Sequence, residues 1–425
     1  MTLLRNHSFA RLFAGRLVTN MGDSLYFVAA MWLVYDLTGN EFYSGLAGFL
    51  TLAPSAFQAF AGPLVDRWDL RRLLVGTQLV QAVLILAVPV AHALGLLTVW
   101  VVLVVMPLLS LLNQLVYPAE SAALPRVVEK DELVQANSLF AMAYQGVDAV
   151  FNALGGLLVA AFGAVAIFVF DSVTFLAAAL LFASVRLPAA DGPAEASTAA
   201  ADSDAVADGL VTDGGAGAER GYLAELREGF AFVRGTILLT MLGGSLVINF
   251  TFGATIAAMP AYGDLLGGAG AYGLLMAGLG VGMLVGSLLA GRFGDRAFGR
   301  LTIASMAAAG VLWTVAIWLA WTPATVALVA VALVPTGITN VLIVSMVQSL
   351  VPEHLLGRVM AVTGSASAVA TPFGALAGGA LAAAFGPAMV MSMAGGGFLF
   401  LAAYVAAVPS LRRMPAVGDV ETLAA

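Results

Sequence analysis

Three aspartates interrupt stretches of the sequence that are otherwise almost entirely apolar, namely Asp23, Asp148 and Asp171. Removal from water disfavours the charged form of a carboxyl group, so a side chain in such a place could bind and release a proton near neutral pH. Asp148 lies near the middle of its apolar stretch and is the strongest candidate. A structural pair with Arg16, or with nearby Asn and Gln side chains, is the alternative for Asp148. Asp171 lies nearer the end of its stretch and could instead reach solvent.

The residues Arg16, Asn20 and Asp23 are spaced i, i+4 and i+7, which places them on one stripe of a helix. An isolated charge at the centre of a membrane costs from ~2.5 kcal/mol upward. We therefore expect this stripe to face the interior of a helix bundle or a water-filled cavity. Arg16 has an alternative, because its long side chain could extend to the membrane surface.

Six amide side chains fall within the apolar stretches and could line an internal cavity: Asn113, Gln114, Gln145, Asn152, Asn249 and Asn340. Hydrogen bonds between helices are the commonest role of such residues, and we expect only some of them to contact a bound molecule. The chain has no cysteine and three scattered histidines. Its motifs include no metal-site spacing, catalytic triad, phosphate-binding loop or nucleic-acid patch, so we expect no metal, no cofactor and no enzymatic activity.

The composition requires a membrane around most of the chain. Hydrophobic residues make up 61% of the 425 residues, charged residues make up 10%, and the mean hydropathy is +0.98. Soluble domains contain about 25% charged residues.

A membrane-spanning helix needs about 20 apolar residues. We predict such spans at residues 12–35, 43–65, 73–94, 97–117, 134–161, 165–186, 237–261, 270–291, 301–321, 324–347, 359–384 and 387–408. The predicted fold class is an all-α membrane protein with twelve transmembrane helices.

The positive charges follow the alternation expected of cytoplasmic loops, which carry an excess of Arg and Lys. With the N-terminus placed inside the cell, all of the 18 Lys and Arg residues except Arg16 fall in segments on the same side of the membrane. A miscount by one span would spoil this pattern. We therefore expect both termini to lie in the cytoplasm.

An acidic segment divides the chain into two parts of six predicted spans each. Residues 191–219 contain seven acidic residues and no Lys or Arg, and they have no apolar period. The predicted organisation is an N-terminal six-helix bundle at 1–187, a disordered acidic cytoplasmic linker at 188–221, an amphipathic interfacial helix at 222–236, a C-terminal six-helix bundle at 237–410 and a cytoplasmic tail at 411–425.

The two parts share motifs in the same order. A loop after the second span and a loop after the eighth span carry the same residue types at the same spacing: Gly62, Asp66, Arg67 and Arg71 in the first, and Gly291, Asp295, Arg296 and Arg300 in the second. The fifth and eleventh spans both end in a Gly-Gly pair and an Ala-Ala-Phe-Gly sequence, and a proline follows spans four and ten. Three matches in order indicate a duplication that produced two pseudo-symmetric halves.

The charged residues of the two loops allow two interpretations. In the simpler one, the arginines only hold the loops on the cytoplasmic side. In the other, Asp66 and its repeat Asp295 belong to a conformational latch, in which a carboxylate pairs with an arginine or a helix N-terminus in one state and loses that contact in another.

The loop from Gly62 to Arg72 resembles the signature loop between helices two and three of the major facilitator superfamily, whose twelve-span layout the chain also resembles. At a finer level, five segments resemble the macrolide-efflux and enterobactin-exporter group of drug:proton antiporters: Asn20 to Asp23, Trp32 to Gly39, Leu124-Pro125-Arg126, Ala136-Asn137-Ser138 and Gly357-Arg358-Val359. The sequence departs from the family's exporters in one place. The Gly-Pro pair that they often carry in helix five is absent between Gly146 and Gly156.

This resemblance implies two six-helix bundles that face each other across a central cavity and expose it to each side of the membrane in turn. It also implies proton-driven export of an amphipathic small molecule such as a drug, a macrolide or a siderophore, and it supports the latch interpretation of Asp66. We expect a monomer in a prokaryotic plasma membrane, with the substrate, protons and lipid as its partners and no nucleic acid. Uptake by ion symport and a receptor or scaffold without transport are the alternatives.

Overall fold

The computed structural model of the protein describes residues 3–57, 65, 68–129, 132–185, 227–319 and 321–416. Nearly all of these residues are helical. In the first half, the described helices are α1 His7–Thr38, α2 Glu41–Leu52, α3 Leu70–Ile85, α4 Ala87–Ala93, α5 Val99–Ala123, α6 Leu133–Phe162 and α7 Ala164–Ala183. Residues 227–234 form the short helix α8. In the second half, the helices are α9 Ile237–Gly267, α10 Ala269–Leu289, α11 Phe298–Leu319, α12 Thr322–Leu350, α13 Glu353–Phe385, α14 Pro387–Ala407 and α15 Pro409–Arg412.

The helices agree with the predicted membrane spans. Among the described residues, 10 helical segments are long and apolar enough to cross a membrane. The span predicted at 134–161 lies in α6, whose apolar part covers residues 146–162. The span predicted at 43–65 begins as α2 and continues as a 3-10 helix to Phe57, where the described stretch ends. The all-α membrane fold is confirmed, and the count of twelve spans stays a prediction.

The helix α1 is longer at both ends than the span predicted at 12–35, because its end signals lie outside the apolar stretch. At the start, the side chain of Asn6 accepts hydrogen bonds from the backbone N–H groups of Ser8 and Phe9. At the end, Gly39 takes a φ of 58°, a conformation that glycine adopts without strain. Capping chemistry, rather than hydrophobicity, therefore sets the two boundaries.

The span predicted at 73–94 is divided at Leu86 into α3 and α4. Pro89 has no backbone N–H to donate to the carbonyl oxygen of Ile85, so the ladder of helical hydrogen bonds is interrupted at this point. The two short helices together still form one apolar segment of membrane-spanning length.

The two halves pack their helices in the same way. In the first half, α1 packs against α6 and α7, and α3 packs against α5 and α7. In the second half, α9 packs against α13 and α14, and α11 packs against α12 and α14. These are the corresponding helices in chain order, so the pseudo-symmetry predicted from the repeated motifs is present in the packing.

The halves meet mainly through two helix pairs, α6 with α10 and α2 with α13. At both pairs, glycine backbones lie directly against each other. A Cβ atom added to Gly156 would overlap Gly273 Cα, and one added to Gly379 would lie 2.5 Å from Gly45 Cα. Glycine permits this approach because it has no side chain, as is common where membrane helices pack closely.

Both glycine contacts lie at one end of the bundle, which we call the glycine-turn end because single or paired glycines connect its helices at residues 39, 163, 267–268 and 386. Two further contacts join the halves there. Trp32 stacks on Tyr272 with ring centroids 5.8 Å apart, and the hydroxyl of Tyr35 donates to Asp264 Oδ2 at 3.4 Å. The halves are therefore closed against each other at the glycine-turn end. We call the opposite end, where α7 ends and α8 lies, the linker end.

Candidate functional site

A cluster of ionisable side chains lies inside the first half, among α1, α5 and α6. Arg16 on α1 and Glu120 on α5 form an ion pair with 3.6 Å between Arg16 Nη1 and Glu120 Oε2. Their side chains are 6% and 3% exposed, so the pair is buried. The structure thus places Arg16 in the bundle interior and not in the alternative position at the membrane surface.

Asp23 and Asp148 lie beside this pair, and each is held by a neighbouring helix. Asn113 Nδ2 on α5 donates to Asp23 Oδ2 at 2.9 Å. Ser24 Oγ on α1 donates to Asp148 Oδ1 on α6 at 2.5 Å. Both carboxyl groups interact electrostatically with Arg16. Asp148 is exposed, whereas Asp23 is partly buried, so the two carboxyl groups differ in their accessibility.

Asp171 on α7 is completely buried. Its Oδ1 accepts a hydrogen bond from Thr174 Oγ1 at 2.7 Å, and its Oδ2 has no hydrogen-bond partner among the described residues. A Cβ atom added to Gly22 on α1 would overlap Asp171 Oδ1. The close approach of α1 therefore seals this carboxyl group, and the structure does not support the interpretation in which Asp171 reaches solvent.

The variant Gly22→Ala is expected to lower the stability of the protein by about 1–3 kcal/mol, because its methyl group needs the space of Asp171 and Thr174. Gly146 on α6 supplies the matched control, since a Cβ atom there has nothing within 4 Å. Gly146→Ala should stabilise the helix by about 0.5–1 kcal/mol. Scanning fluorimetry of the purified variants measures both effects, and equal unfolding midpoints would contradict this packing.

Of the predicted amides in the first half, Asn113 joins the cluster directly. Asn20 is 3% exposed and lies on the same stripe of α1 as Arg16 and Asp23, as predicted. The buried atoms Asn20 Nδ2 and Asn152 Oδ1 have no hydrogen-bond partner among the described residues. Gln114 Nε2 donates to a backbone oxygen of its own helix at 3.2 Å. The side chain of one further candidate lies outside the described residues, that of Gln145.

Asn249 and Asn340 line a cavity of about 470 Å³ inside the second half. Its walls come from α9 to α14, and apolar side chains form most of its surface. Hydroxyl and amide groups provide the polar part of the lining. No Asp, Glu, Lys, Arg or His is among the lining residues in the part of the chain that the structure describes.

The first of the two repeated loops lies mostly outside the described residues, which include none of Gly62, Asp66 and Arg67. The latch at Asp66 therefore stays a prediction. Arg71 is exposed at the start of α3, and its Nη2 donates to the backbone oxygen of Ala183 on α7.

The second loop is described completely and lies at the linker end. Its four predicted residues are all exposed: Gly291, Asp295, Arg296 and Arg300. No salt bridge joins Asp295 to another described residue. The role of Asp295 as the repeat of the Asp66 latch also stays a prediction.

Sequence analysis missed Glu120 and Ser24 as members of the cluster. The predicted fourth span ended at residue 117, which placed Glu120 in a loop, where a carboxylate needs no partner. The structure continues α5 to Ala123 without ending at Pro118. The i, i+7 spacing from Asn113 to Glu120 matches the spacing from Arg16 to Asp23 and could have revealed a second polar stripe.

Comparisons with known proteins agree with the geometry. Residues 1–210 match a family described as "Transmembrane secretion effector", and residues 241–421 match a family described as "Major Facilitator Superfamily". The chain is similar to macrolide efflux protein A of Streptococcus pyogenes, with 24% identity over 376 residues that cover 86% of this chain and 87% of the relative.

Two solved structures of low sequence identity show the same fold. A bacterial homolog of the human lysosomal transporter Spinster, in an inward-facing and occupied conformation, has a TM-score of 0.68 and 12% identity, covering 95% of this chain and 96% of that one. A bacterial homologue of the iron transporter ferroportin, in an inward-facing state, has a TM-score of 0.67 and 15% identity, covering 96% and 99%.

Two related helical bundles, with buried ionisable groups in one and an internal cavity in the other, form a multi-pass membrane protein, and the family matches identify it as a transporter. The two family matches together extend over most of the chain and describe one superfamily. The chain belongs to the major facilitator superfamily.

Proposed function

We propose that the protein exports amphipathic small molecules from a prokaryotic cell in exchange for protons. The similarity to macrolide efflux protein A supports export of such molecules. The ionisable cluster supports proton coupling, because ionisable residues inside membrane proteins commonly mark proton or ion pathways. The two related halves support alternating access, in which one half rocks against the other.

Proton coupling is supported above all by the excess of carboxyl groups over positive charges in the cluster. Among the described residues, Glu120, Asp23 and Asp148 share one arginine, Arg16, which is buried in the first half. Glu120 is buried and Asp23 is partly buried. If all three carboxyl groups were ionised, negative charge would remain uncompensated at the edge of a region of low dielectric constant, which is unfavourable. The cluster therefore favours binding of at least one proton.

Asp148 is the proposed proton carrier, because it is the exposed member of the cluster and can exchange its proton with water. Asp23 is proposed to share the proton with it, since the two carboxyl groups interact electrostatically with each other and with Arg16. Asp171 is proposed to stay protonated and structural, because Gly22 and Thr174 enclose it.

The proposed cycle places the glycine-turn end at the outer face of the membrane, since the predicted loops at that end carry no Arg or Lys. The conformation described here then corresponds to an inward-facing state. Separation of α6 from α10 and of α2 from α13 would open the outer side and let Asp148 take up a proton there. When the glycine-turn end closes again, Asp148 would face the cytoplasm and release the proton there.

Everted membrane vesicles test this function with a panel of amphipathic compounds, both uncharged and cationic. An imposed proton gradient, acidic inside the vesicles, should drive accumulation of at least one compound, and a protonophore should abolish it. The variant Asp148→Asn preserves the shape of the side chain but cannot carry a proton, so gradient-driven accumulation should fall at least about tenfold.

The matched control is Asn137→Leu, which changes an exposed amide of α6 that donates to a carbonyl oxygen of its own helix and to no other described residue. This variant should accumulate the compounds at the wild-type rate. Unchanged accumulation in Asp148→Asn would remove that residue from coupling. Gradient-driven uptake into intact cells would establish symport and contradict export, and binding of the compounds without any flux would contradict transport.

A further inference from the structure

The repeated motifs define which residues of the two halves correspond. The spacing that relates the two charged loops also relates Asn20 on α1 to Asn249 on α9. The spacing that relates the prolines after spans four and ten also relates Asn113 on α5 to Asn340 on α12. Two amides of the ionisable cluster therefore correspond to the two amides that line the cavity of the second half.

Helix packing supports this correspondence in three dimensions. In the first half, Gly22 on α1 lies against Thr174 on α7, where an added Cβ atom would overlap the threonine hydroxyl. At the corresponding positions in the second half, Thr251 on α9 lies against Gly397 on α14, and a Cβ atom added to Gly397 would lie 2.5 Å from Thr251 Oγ1. Glycine and threonine have exchanged places across an otherwise equivalent contact.

Every ionisable residue of the first-half cluster corresponds to an uncharged residue in the second half. The pairs are Arg16 with Ser245, Asp23 with Phe252, Glu120 with Val347, Asp148 with Thr371 and Asp171 with Ala394. Four of the five uncharged residues line the cavity, and the hydroxyl of Thr371 lies 3.4 Å from Asn249 Oδ1. The cavity thus occupies, in the second half, the place that the charged cluster occupies in the first.

We propose that this cavity is the substrate site and that it selects electrically neutral amphipathic molecules. This inference rests on the proposed function and adds to it the class and the place of the substrate. A charged ligand would lose its hydration among walls that offer no opposite charge, which is unfavourable. The cavity volume of about 470 Å³ falls within the range of pockets for drug-sized ligands, about 300–1,000 Å³.

One polar side chain in the lining is open to such a ligand. Asn340 is exposed and lines the cavity, and its amide makes no hydrogen bond to another described residue. Thr336 Oγ1 also lacks a partner among the described residues, but it is buried. Asn249 is occupied instead, because its amide donates to Ser245 and its oxygen faces Thr371. A molecule with an uncharged hydrogen-bonding group on an apolar body would satisfy Asn340 while its body contacts the apolar wall.

In this proposal, the first half binds protons and the second half binds a neutral substrate. Exchange of protons for a neutral molecule moves net charge across the membrane. The membrane potential, and not only the pH difference, should therefore drive export.

Binding to the purified protein in nanodiscs, without any gradient, tests the proposal with two radiolabelled probes. Chloramphenicol is uncharged and amphipathic, and tetraphenylphosphonium is a permanent apolar cation. We expect chloramphenicol to bind at least about tenfold more tightly than the cation. Asn340→Leu should weaken chloramphenicol binding about three- to tenfold through loss of a hydrogen bond, whereas Asn137→Leu should leave it unchanged.

A second variant keeps the test independent of folding defects. Asn340→Asp is nearly the same shape and places a carboxylate in the cavity, so it should weaken chloramphenicol binding and tighten binding of the cation. Equal binding of both probes to the wild type, absence of chloramphenicol binding, or no effect of either Asn340 variant would overturn the proposal. Asp148→Asn leaves the lining of the cavity intact, so this variant should still prefer chloramphenicol to the cation even though it loses gradient-driven transport. Failure of proton coupling and failure of the neutral site therefore give different results.

Discussion

Replacing Gly156 by leucine is expected to abolish transport in a protein that still folds. A side chain at this position would occupy the space of the Gly273 backbone, which cannot move aside as a flexible side chain can. The two halves could then no longer close at the glycine-turn end. Each half also contains a buried apolar cluster of its own, so the expected product is a folded protein held open at the glycine-turn end.

A cysteine reporter measures this opening without background, because the chain contains no cysteine of its own. Ser44 on α2 is completely buried beside the contact of Gly45 with Gly379, so Ser44→Cys should react slowly with a membrane-impermeant maleimide. In the Gly156→Leu background the same cysteine should react at least about tenfold faster, because a larger fraction of the molecules would be open at the glycine-turn end. Gly379→Leu should have the same effect at the pseudo-symmetric contact.

The control for this experiment is Gly146→Leu, which adds the same side chain to α6 at a position with open space around the Cβ atom. It should leave both transport and labelling of the Ser44→Cys reporter close to the values of the unmodified protein. Wild-type transport by Gly156→Leu, or a reporter that stays protected in that variant, would show that closure of the glycine contacts is not part of the cycle.

The positions of the helices could be predicted from the sequence because a membrane imposes a simple rule on each segment separately. Every backbone polar group in lipid must be paired within the helix, and each helix must be apolar over about 20 residues. The ends were predicted less well, since they depend on caps and prolines. Asn6 and Gly39 extend α1 beyond its apolar stretch, and α5 continues past Pro118 to Ala123.

The candidate site could be predicted only in part, because periodicity describes one helix at a time. The spacing of Arg16, Asn20 and Asp23 predicted a shared polar stripe, and the structure buries Arg16 and Asn20 and partly buries Asp23. The contacts of Asp23 with Asn113 and of Ser24 with Asp148 join distant segments of the chain. No local pattern specifies such pairs, which arise from the order in which the helices pack.

The cavity of the second half could likewise be predicted only in part. Its two amides were predicted as cavity candidates from their position within apolar spans, and both line it. The sequence alone did not show that uncharged residues of the cavity replace the charged residues of the first half. That comparison required the packing, in which Gly22 and Thr251 occupy corresponding positions. A duplicated fold therefore allows one half to serve as the reference for the other.

The variant Arg16→Leu is expected to destabilise the protein by about 3–5 kcal/mol, because it removes the positive charge that forms an ion pair with the buried Glu120. Glu120→Leu should be less costly, since Arg16 would retain Asp23 and Asp148 as neighbouring carboxyl groups. The double variant Arg16→Leu/Glu120→Leu removes both buried charges and fills their space with apolar groups. It should therefore be more stable than Arg16→Leu, with an unfolding midpoint near that of the wild type.

The double variant separates the structural role of the ion pair from its role in coupling. If Arg16 only compensates Glu120, the double variant should export the substrate as the wild type does. If Arg16 also sets the charge balance of Asp23 and Asp148, the double variant should fold normally and lose gradient-driven accumulation by about tenfold or more. We expect the second result, because three carboxyl groups share that one arginine and its loss leaves Asp148 without a nearby positive charge among the described residues. Normal export by a stable double variant would show that the proton is carried without Arg16, and the proposed charge balance would then be wrong.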